Sequence, residues 1–109
     1  MNEDDTRNHG LQRIDAVMCA WRLDNHDLVL AAMPEQLTHK QVQRARMGRQ
    51  LTLGMMQKVT RILNEAIQSR LDREVAESFH PYIHRDLFSY AKNYDKAWVD
   101  PNAELYPDA

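Results

Sequence analysis

The strongest structural signal in this 109-residue chain lies in residues 38–79, THKQVQRARMGRQLTLGMMQKVTRILNEAIQSRLDREVAESF. Thr38 and Gln41 have the spacing of a capping box, in which two residues exchange hydrogen bonds at a helix start. Apolar residues then recur every three or four positions from Val42 to Phe79, which is typical of one face of a helix. The pattern predicts a long central helix over about residues 39–78.

A straight helix of that length would measure about 60 Å at 1.5 Å per residue. A compact domain of this size has a radius of gyration of only about 13 Å. The helix therefore either bends inside the domain or projects from it and pairs with another chain. Gly48 and Gly54 are the expected bend points, because glycine costs about 1 kcal/mol relative to alanine in a helix interior.

Shorter helices are expected on both sides of the central one, over about residues 9–22, 26–33 and 82–96. The chain contains only three glycines and four prolines, whereas small β domains need many tight turns. The sequence therefore predicts an all-α fold, a small bundle of four to five helices. We expect one helical domain over residues 9–98, preceded by a frayed acidic segment at 1–8 and followed by an extended tail at 99–109.

Several classes of protein are disfavoured by composition. One cysteine, Cys19, cannot form an internal disulfide. The acidic N-terminus lacks the basic and apolar regions of a signal peptide. The longest apolar run, residues 28–33, is far shorter than the ~20 residues that cross a bilayer. We therefore expect a cytoplasmic protein that does not contact a membrane.

Charge is unevenly distributed along the chain. Residues 36–64 contain six basic side chains and no acidic one, while both flanking regions are acidic. A basic helix is the electrostatic feature expected of nucleic-acid binding, although the acidic flanks offer internal or intersubunit partners instead. The candidate nucleic-acid-binding residues are Lys40, Arg44, Arg46, Arg49, Lys58 and Arg61.

Two features favour a protein contact surface. Six of the eight aromatic residues lie between Phe79 and Trp98, and tyrosine and tryptophan are enriched at interfaces. The central helix also carries two adjacent apolar seams, so it is either an ordinary core helix covered by the other helices or one that a second subunit covers in part. The predicted contact residues are Met55, Met56, Val59, Tyr82, Tyr90 and Trp98.

Catalysis is not expected from this sequence. It contains no phosphate-binding loop, dinucleotide fingerprint or nucleophile elbow. His80 and His84 have a spacing that binds metals on a helix, but Pro81 lies between them, so no metal or cofactor is predicted. The sequence thus favours a non-enzymatic interaction or regulatory protein, homodimeric, with nucleic-acid binding as the alternative.

Overall fold

The computed structural model describes residues 7–107 and shows a helical bundle with a Cα radius of gyration of 13.9 Å. The described residues form six α-helices, and a single 3-10 turn spans Ala103–Leu105. The helices are α1 (Arg13–Ala20), α2 (Asn25–Ala32), α3 (His39–Met47), α4 (Leu53–Gln68), α5 (Arg73–Ala76) and α6 (His84–Leu87). The predicted all-α small bundle is confirmed. Most of the segment expected to be frayed, residues 1–6, lies outside the described residues.

Helix α4 is the centre of the bundle, and it packs against α2, α3 and α6. Its apolar face is buried from Met56 to Ile67, and α1 packs against α3 and α6 to close the structure. Several large side chains are fully buried, each worth roughly 1.5–3 kcal/mol relative to an exposed position. They include Ile14, Met18, Leu28, Ile62, Leu63, Leu87 and Phe88.

The segment predicted as one long helix consists of two helices and a short third one. Gly48 ends α3 in a left-handed conformation with φ of 96°, so the bend expected there is a complete break. A new helix starts where the Thr52 side chain accepts a hydrogen bond from the backbone N–H of Met55 at 3.1 Å. Gly54, the other expected bend point, lies in the first turn of α4 without bending it.

The break is held by the N-terminal segment, which runs alongside residues 48–50. The backbone N–H of His9 donates to the carbonyl of Gly48 at 2.9 Å, and Gln50 N–H donates to the carbonyl of Arg7 at 2.7 Å. These bonds satisfy backbone groups that a continuous helix would otherwise have paired internally.

The last predicted helix, residues 82–96, is reduced to one turn, α6. Beyond α6 the chain follows a series of turns. Backbone carbonyls in this part of the chain accept hydrogen bonds from Arg13, which is distant in sequence. The Arg13 guanidinium donates to the carbonyls of Asp86 and Asp95 at 2.9 and 3.0 Å. It also lies over the rings of Tyr94 and Trp98, 4.4 and 4.9 Å from their centroids. Tyr94 and Trp98 thus pack around Arg13 rather than lying on one face of a helix.

Candidate functional site

The predicted contact residues divide into buried and partly exposed groups. Met56, Val59 and Tyr82 are core residues, between 0% and 7% exposed. They are therefore not available as a contact surface in this fold. The two apolar seams that suggested a partner are covered by helices of the same chain, which helical spacing alone does not reveal.

The other three predicted contact residues are partly buried and have intramolecular contacts of their own. Met55 packs against the core, and the Trp98 ring contacts Arg13. The Tyr90 ring stacks on His9 with centroids 4.4 Å apart, and its hydroxyl accepts from the N–H of Leu51 at 3.0 Å. The six residues therefore serve largely to hold this chain together.

The predicted basic residues are also divided by the fold. Arg46 pairs with Asp15 at 2.7 Å, and Arg61 pairs with Glu35 at 2.8 Å, so part of the basic segment is neutralised by its acidic flanks. Lys58 donates to the backbone carbonyl of Gln36. The remaining members of the set are Lys40 and Arg44, which are exposed on α3, and Arg49, which is half-buried.

A groove of about 410 Å³ lies where the end of α1, the turn between α4 and α5, and the C-terminal segment meet. We call it the Trp21 groove. Its lining combines apolar side chains with two arginines and one aspartate. The lining residues are Trp21, Arg22, Arg70, Leu71, Asp72, Val75, Leu105 and Pro107.

The backbone of Arg22 is unusual, because this residue adopts a left-handed conformation with φ of 58°. Arg22 N–H donates to the carbonyl of Cys19, and Leu23 N–H donates to that of Met18, both characteristic of a Schellman motif ending α1. Glycine is the usual residue at this position, and a side chain there costs about 1–2 kcal/mol. A strained residue beside an open groove is a candidate functional residue.

The two arginines at the groove differ in their partners. Arg70 pairs with Asp27 at 2.6 Å. Arg22 is exposed and forms no ion pair with any residue in the range 7–107. A carboxylate on a bound molecule would therefore displace no ion-pair partner of Arg22 that lies within residues 7–107.

The floor of the groove is fixed by a buried hydrogen-bond network. The indole N–H of Trp21 donates to the Tyr82 hydroxyl at 2.8 Å, and that hydroxyl donates to Asp100 at 2.6 Å. The Tyr106 hydroxyl donates to the same carboxylate oxygen. Burial, followed by the bond to Asp100, raises the pKa of Tyr82 and of Tyr106 above the usual value for tyrosine. Both phenols are thus neutral donors that keep Trp21 in a fixed orientation at neutral pH.

The side chains that line the Trp21 groove are mostly apolar or basic. Its lining contains one carboxylate, Asp72, and no histidine, serine or cysteine to act as a base or nucleophile. Among residues 7–107, no group of three or more histidine, cysteine or acidic side chains is placed to hold a metal ion. No helix in that range is long and apolar enough to cross a membrane.

Sequence reasoning did not identify this groove. Trp21 and Val75 are 54 positions apart, and Val75 and Leu105 are 30 positions apart. Each fits an ordinary apolar pattern in its own segment. The only local signal is the break after α1, which gives no indication that Arg22 occupies a position usually held by glycine. Comparison of the chain with protein-family profiles, with curated proteins and with solved structures gives no match.

Proposed function

We propose that this chain is a non-enzymatic interaction or regulatory protein that binds a segment of a partner protein in the Trp21 groove. The observation that carries the proposal is the conformation of Arg22. Its backbone is strained, its guanidinium has no ion pair within residues 7–107, and it lies at the rim of an apolar groove. Glycine would relieve the strain, so an arginine there suggests selection for its charge.

The groove also defines the chemistry of the partner segment. Its volume of about 410 Å³ falls in the range of pockets that enclose small ligands, and this suits one or two large side chains. Trp21, Leu71 and Val75 favour an apolar side chain, while Arg22 favours a neighbouring carboxylate. The expected partner segment therefore carries a large apolar residue close to an aspartate or glutamate.

Selection of binders from a random peptide library against the full chain tests this proposal. We expect enriched peptides to share an apolar residue near an acidic one. Their binding should be lost in Val75→Arg and reduced in Arg22→Ala, because the first fills the groove with charge and the second removes the guanidinium. Leu11→Arg, at an exposed apolar position outside both the groove and the proposed dimer surface, is the matched control.

Two results would contradict the groove proposal. One is the absence of any enriched peptide. The other is a set of peptides that bind the Val75→Arg variant as tightly as the wild type.

Homodimerisation is part of the same proposal, and the outer face of α2 supports it. Leu30 and Met33 are 55% and 70% exposed although both are large and apolar. Leu30 lies in the last turn of α2, and Met33 is the residue at which that helix ends. Burial of this pair against a second copy of the chain would remove apolar area from water.

Sedimentation equilibrium tests the dimer, with an expected mass of about twice 12.8 kDa. A Leu30→Glu, Met33→Glu double variant should sediment as a monomer. Met56 is unsuitable for this test because it is buried within the chain, where a charge would unfold the protein. A wild-type chain that remains monomeric at high concentration would exclude the homodimer while leaving the groove proposal intact.

Nucleic-acid binding remains the second candidate, supported by the outer face of α3. Lys40 and Arg44 are exposed, four residues apart on this helix, and α3 contains no acidic residue. Two phosphate contacts predict a slope of log affinity against log salt of about −2 on duplex DNA. The Lys40→Ala, Arg44→Ala double variant should abolish this slope, and absence of binding at low salt would refute the candidate.

A further inference from the structure

Two histidines that are 13 positions apart in sequence lie together on the surface. His26 is in the first turn of α2 and His39 is the first residue of α3, and both are exposed. Nδ1 of His26 and Nε2 of His39 are 3.3 Å apart, and the two rings are nearly parallel at 15° with centroids 5.4 Å apart. Two imidazole nitrogens thus face each other at the junction of two helices.

We propose that His26 and His39 bind a divalent transition-metal ion, Zn²⁺ foremost. Zinc is held by histidine nitrogens at 2.0–2.1 Å in tetrahedral geometry, so two such nitrogens on one ion lie about 3.3 Å apart. Ligands at a right angle, as in tetragonal Cu²⁺ or Ni²⁺ sites, would be only about 2.9 Å apart. The observed separation of 3.3 Å matches the tetrahedral value.

The backbone under each histidine is held by a reciprocal cap. At α2, Asp24 and Asp27 exchange side-chain and backbone hydrogen bonds of 2.8 and 2.9 Å. At α3, Thr38 and Gln41 do the same at 3.0 Å each. Because both helix starts are fixed, the two imidazoles need little ordering when the ion binds.

A direct link between the two helices lies beside the histidine pair. The Asn25 side chain donates to the Gln43 side chain at 2.9 Å, one position before His26 and four positions after His39. This bond keeps α2 and α3 in register where the ion would bridge them. The ion would therefore act as a second clamp between helices that are already in contact.

The local charge also bears on cation binding. The positive ends of two helix dipoles meet here, and they oppose a bound cation. The carboxylate of Asp24, two positions before His26 at the start of α2, supplies a negative charge that offsets them. The same carboxylate would attract a metal ion bound at the pair.

The site supplies two protein ligands, and water would complete the tetrahedron. This is consistent with the absence, within residues 7–107, of any group of three or more metal-binding side chains. An exposed site with two open positions binds and releases its ion readily, in contrast to a closed structural zinc site.

Zinc titration of the full chain, prepared without a histidine tag, tests the proposal. In NMR spectra of the wild-type protein, Zn²⁺ should shift the imidazole signals of His26 and His39 and leave those of His80 unchanged. Calorimetry should show one Zn²⁺ per chain, and its affinity should fall by about tenfold or more in His26→Ala and in His39→Ala. His80→Ala, another exposed histidine, is the matched control.

Each outcome of the zinc titration either supports or overturns the proposed site. Imidazole shifts confined to His26 and His39 would support the site even if a variant failed to fold, because that measurement uses the wild type. The proposal is overturned if Zn²⁺ leaves these signals unchanged. It is equally overturned if the His26→Ala, His39→Ala double variant, shown to be folded by circular dichroism, binds zinc as the wild type does.

Discussion

At the scale of single residues, the most informative feature is a side chain in a conformation that it disfavours. Arg22 ends α1 in the left-handed region, and the Schellman bonds around it fix that geometry. This motif brings Leu23 and Met18 together. Both side chains are buried, and their burial stabilises the turn. The strain is thus compensated by packing, and among residues 7–107 the guanidinium has no ion-pair partner.

Replacing Arg22 by glycine should stabilise the fold and weaken partner binding. Glycine removes a strain of about 1 kcal/mol, which raises the midpoint of thermal unfolding by roughly 4–8 °C in a domain of this size. Arg22→Ala separates the two effects, because alanine keeps the strain and removes the charge. Thermal unfolding of the three proteins checks this, and a glycine variant no more stable than the wild type would refute the strain.

The two hydrogen-bonded tyrosines make the stability sensitive to alkali. The folded pKa of Tyr82 and Tyr106 lies above the value of about 10 expected in the unfolded chain. Their contribution to stability is therefore fully present below pH 10 and is lost as the pH rises beyond it. Ultraviolet absorbance of tyrosinate should develop at higher pH in the folded protein than in urea. Coincident titration curves would contradict the buried network.

At the scale of elements, the decisive event is the division of the predicted long helix at Gly48. A methyl group at this position would clash with the carbonyl oxygen of Gly10, far inside van der Waals contact. Gly48 thus provides both the left-handed turn and the close approach of the N-terminal segment. Gly54 meets no such constraint, because a methyl group there would have no atom of a neighbouring segment within 4 Å.

The two glycines should respond oppositely to alanine. Gly48→Ala should cost roughly 2–4 kcal/mol, since it combines backbone strain with a clash against main-chain atoms. Gly54→Ala should be neutral or stabilise the protein by up to about 1 kcal/mol, because alanine favours helix. Urea unfolding of both variants measures this. Equal effects at the two positions would show that the chain does not break at Gly48.

At the scale of the whole molecule, the helices are joined by non-helical segments at both ends of the described chain. Asn102 is fully buried and exchanges two hydrogen bonds with the backbone of His80, at 2.7 and 2.8 Å. Gln12 accepts from the N–H of Ser89 at 2.6 Å. The C-terminal segment that completes the Trp21 groove is therefore positioned by contacts far apart in sequence.

Asn102→Ala should loosen this segment and open the groove. The substitution leaves the N–H and carbonyl of His80 without their partner, at a cost of about 1–3 kcal/mol each. Hydrogen exchange should become faster at the amides of His80 and Leu105. The amides of α4 should lose only as much protection as the lower global stability of the variant requires. Unchanged exchange at both amides would contradict this role.

The sequence by itself determined the helical class, the start of α3 at the Thr38 cap and the ends of α2. These are local properties, because caps and three-to-four spacing act within one or two turns. Tertiary structure alone decided the length of the helices and the identity of the surfaces. Gly48 breaks the long helix because Gly10 packs against it, and Arg13 bonds to the carbonyls of Asp86 in α6 and of Asp95 beyond it.

The candidate sites show the same contrast between what local sequence patterns predict and what the tertiary structure decides. An apolar periodicity shows that a side chain is buried, but whether the cover is another helix or a partner depends on the complete fold. Met56 and Tyr82 were expected at a surface and are core residues, while the Trp21 groove and the His26–His39 pair join segments that no local pattern connects. The physical reason is that burial and proximity are long-range properties, set only when the chain has closed on itself.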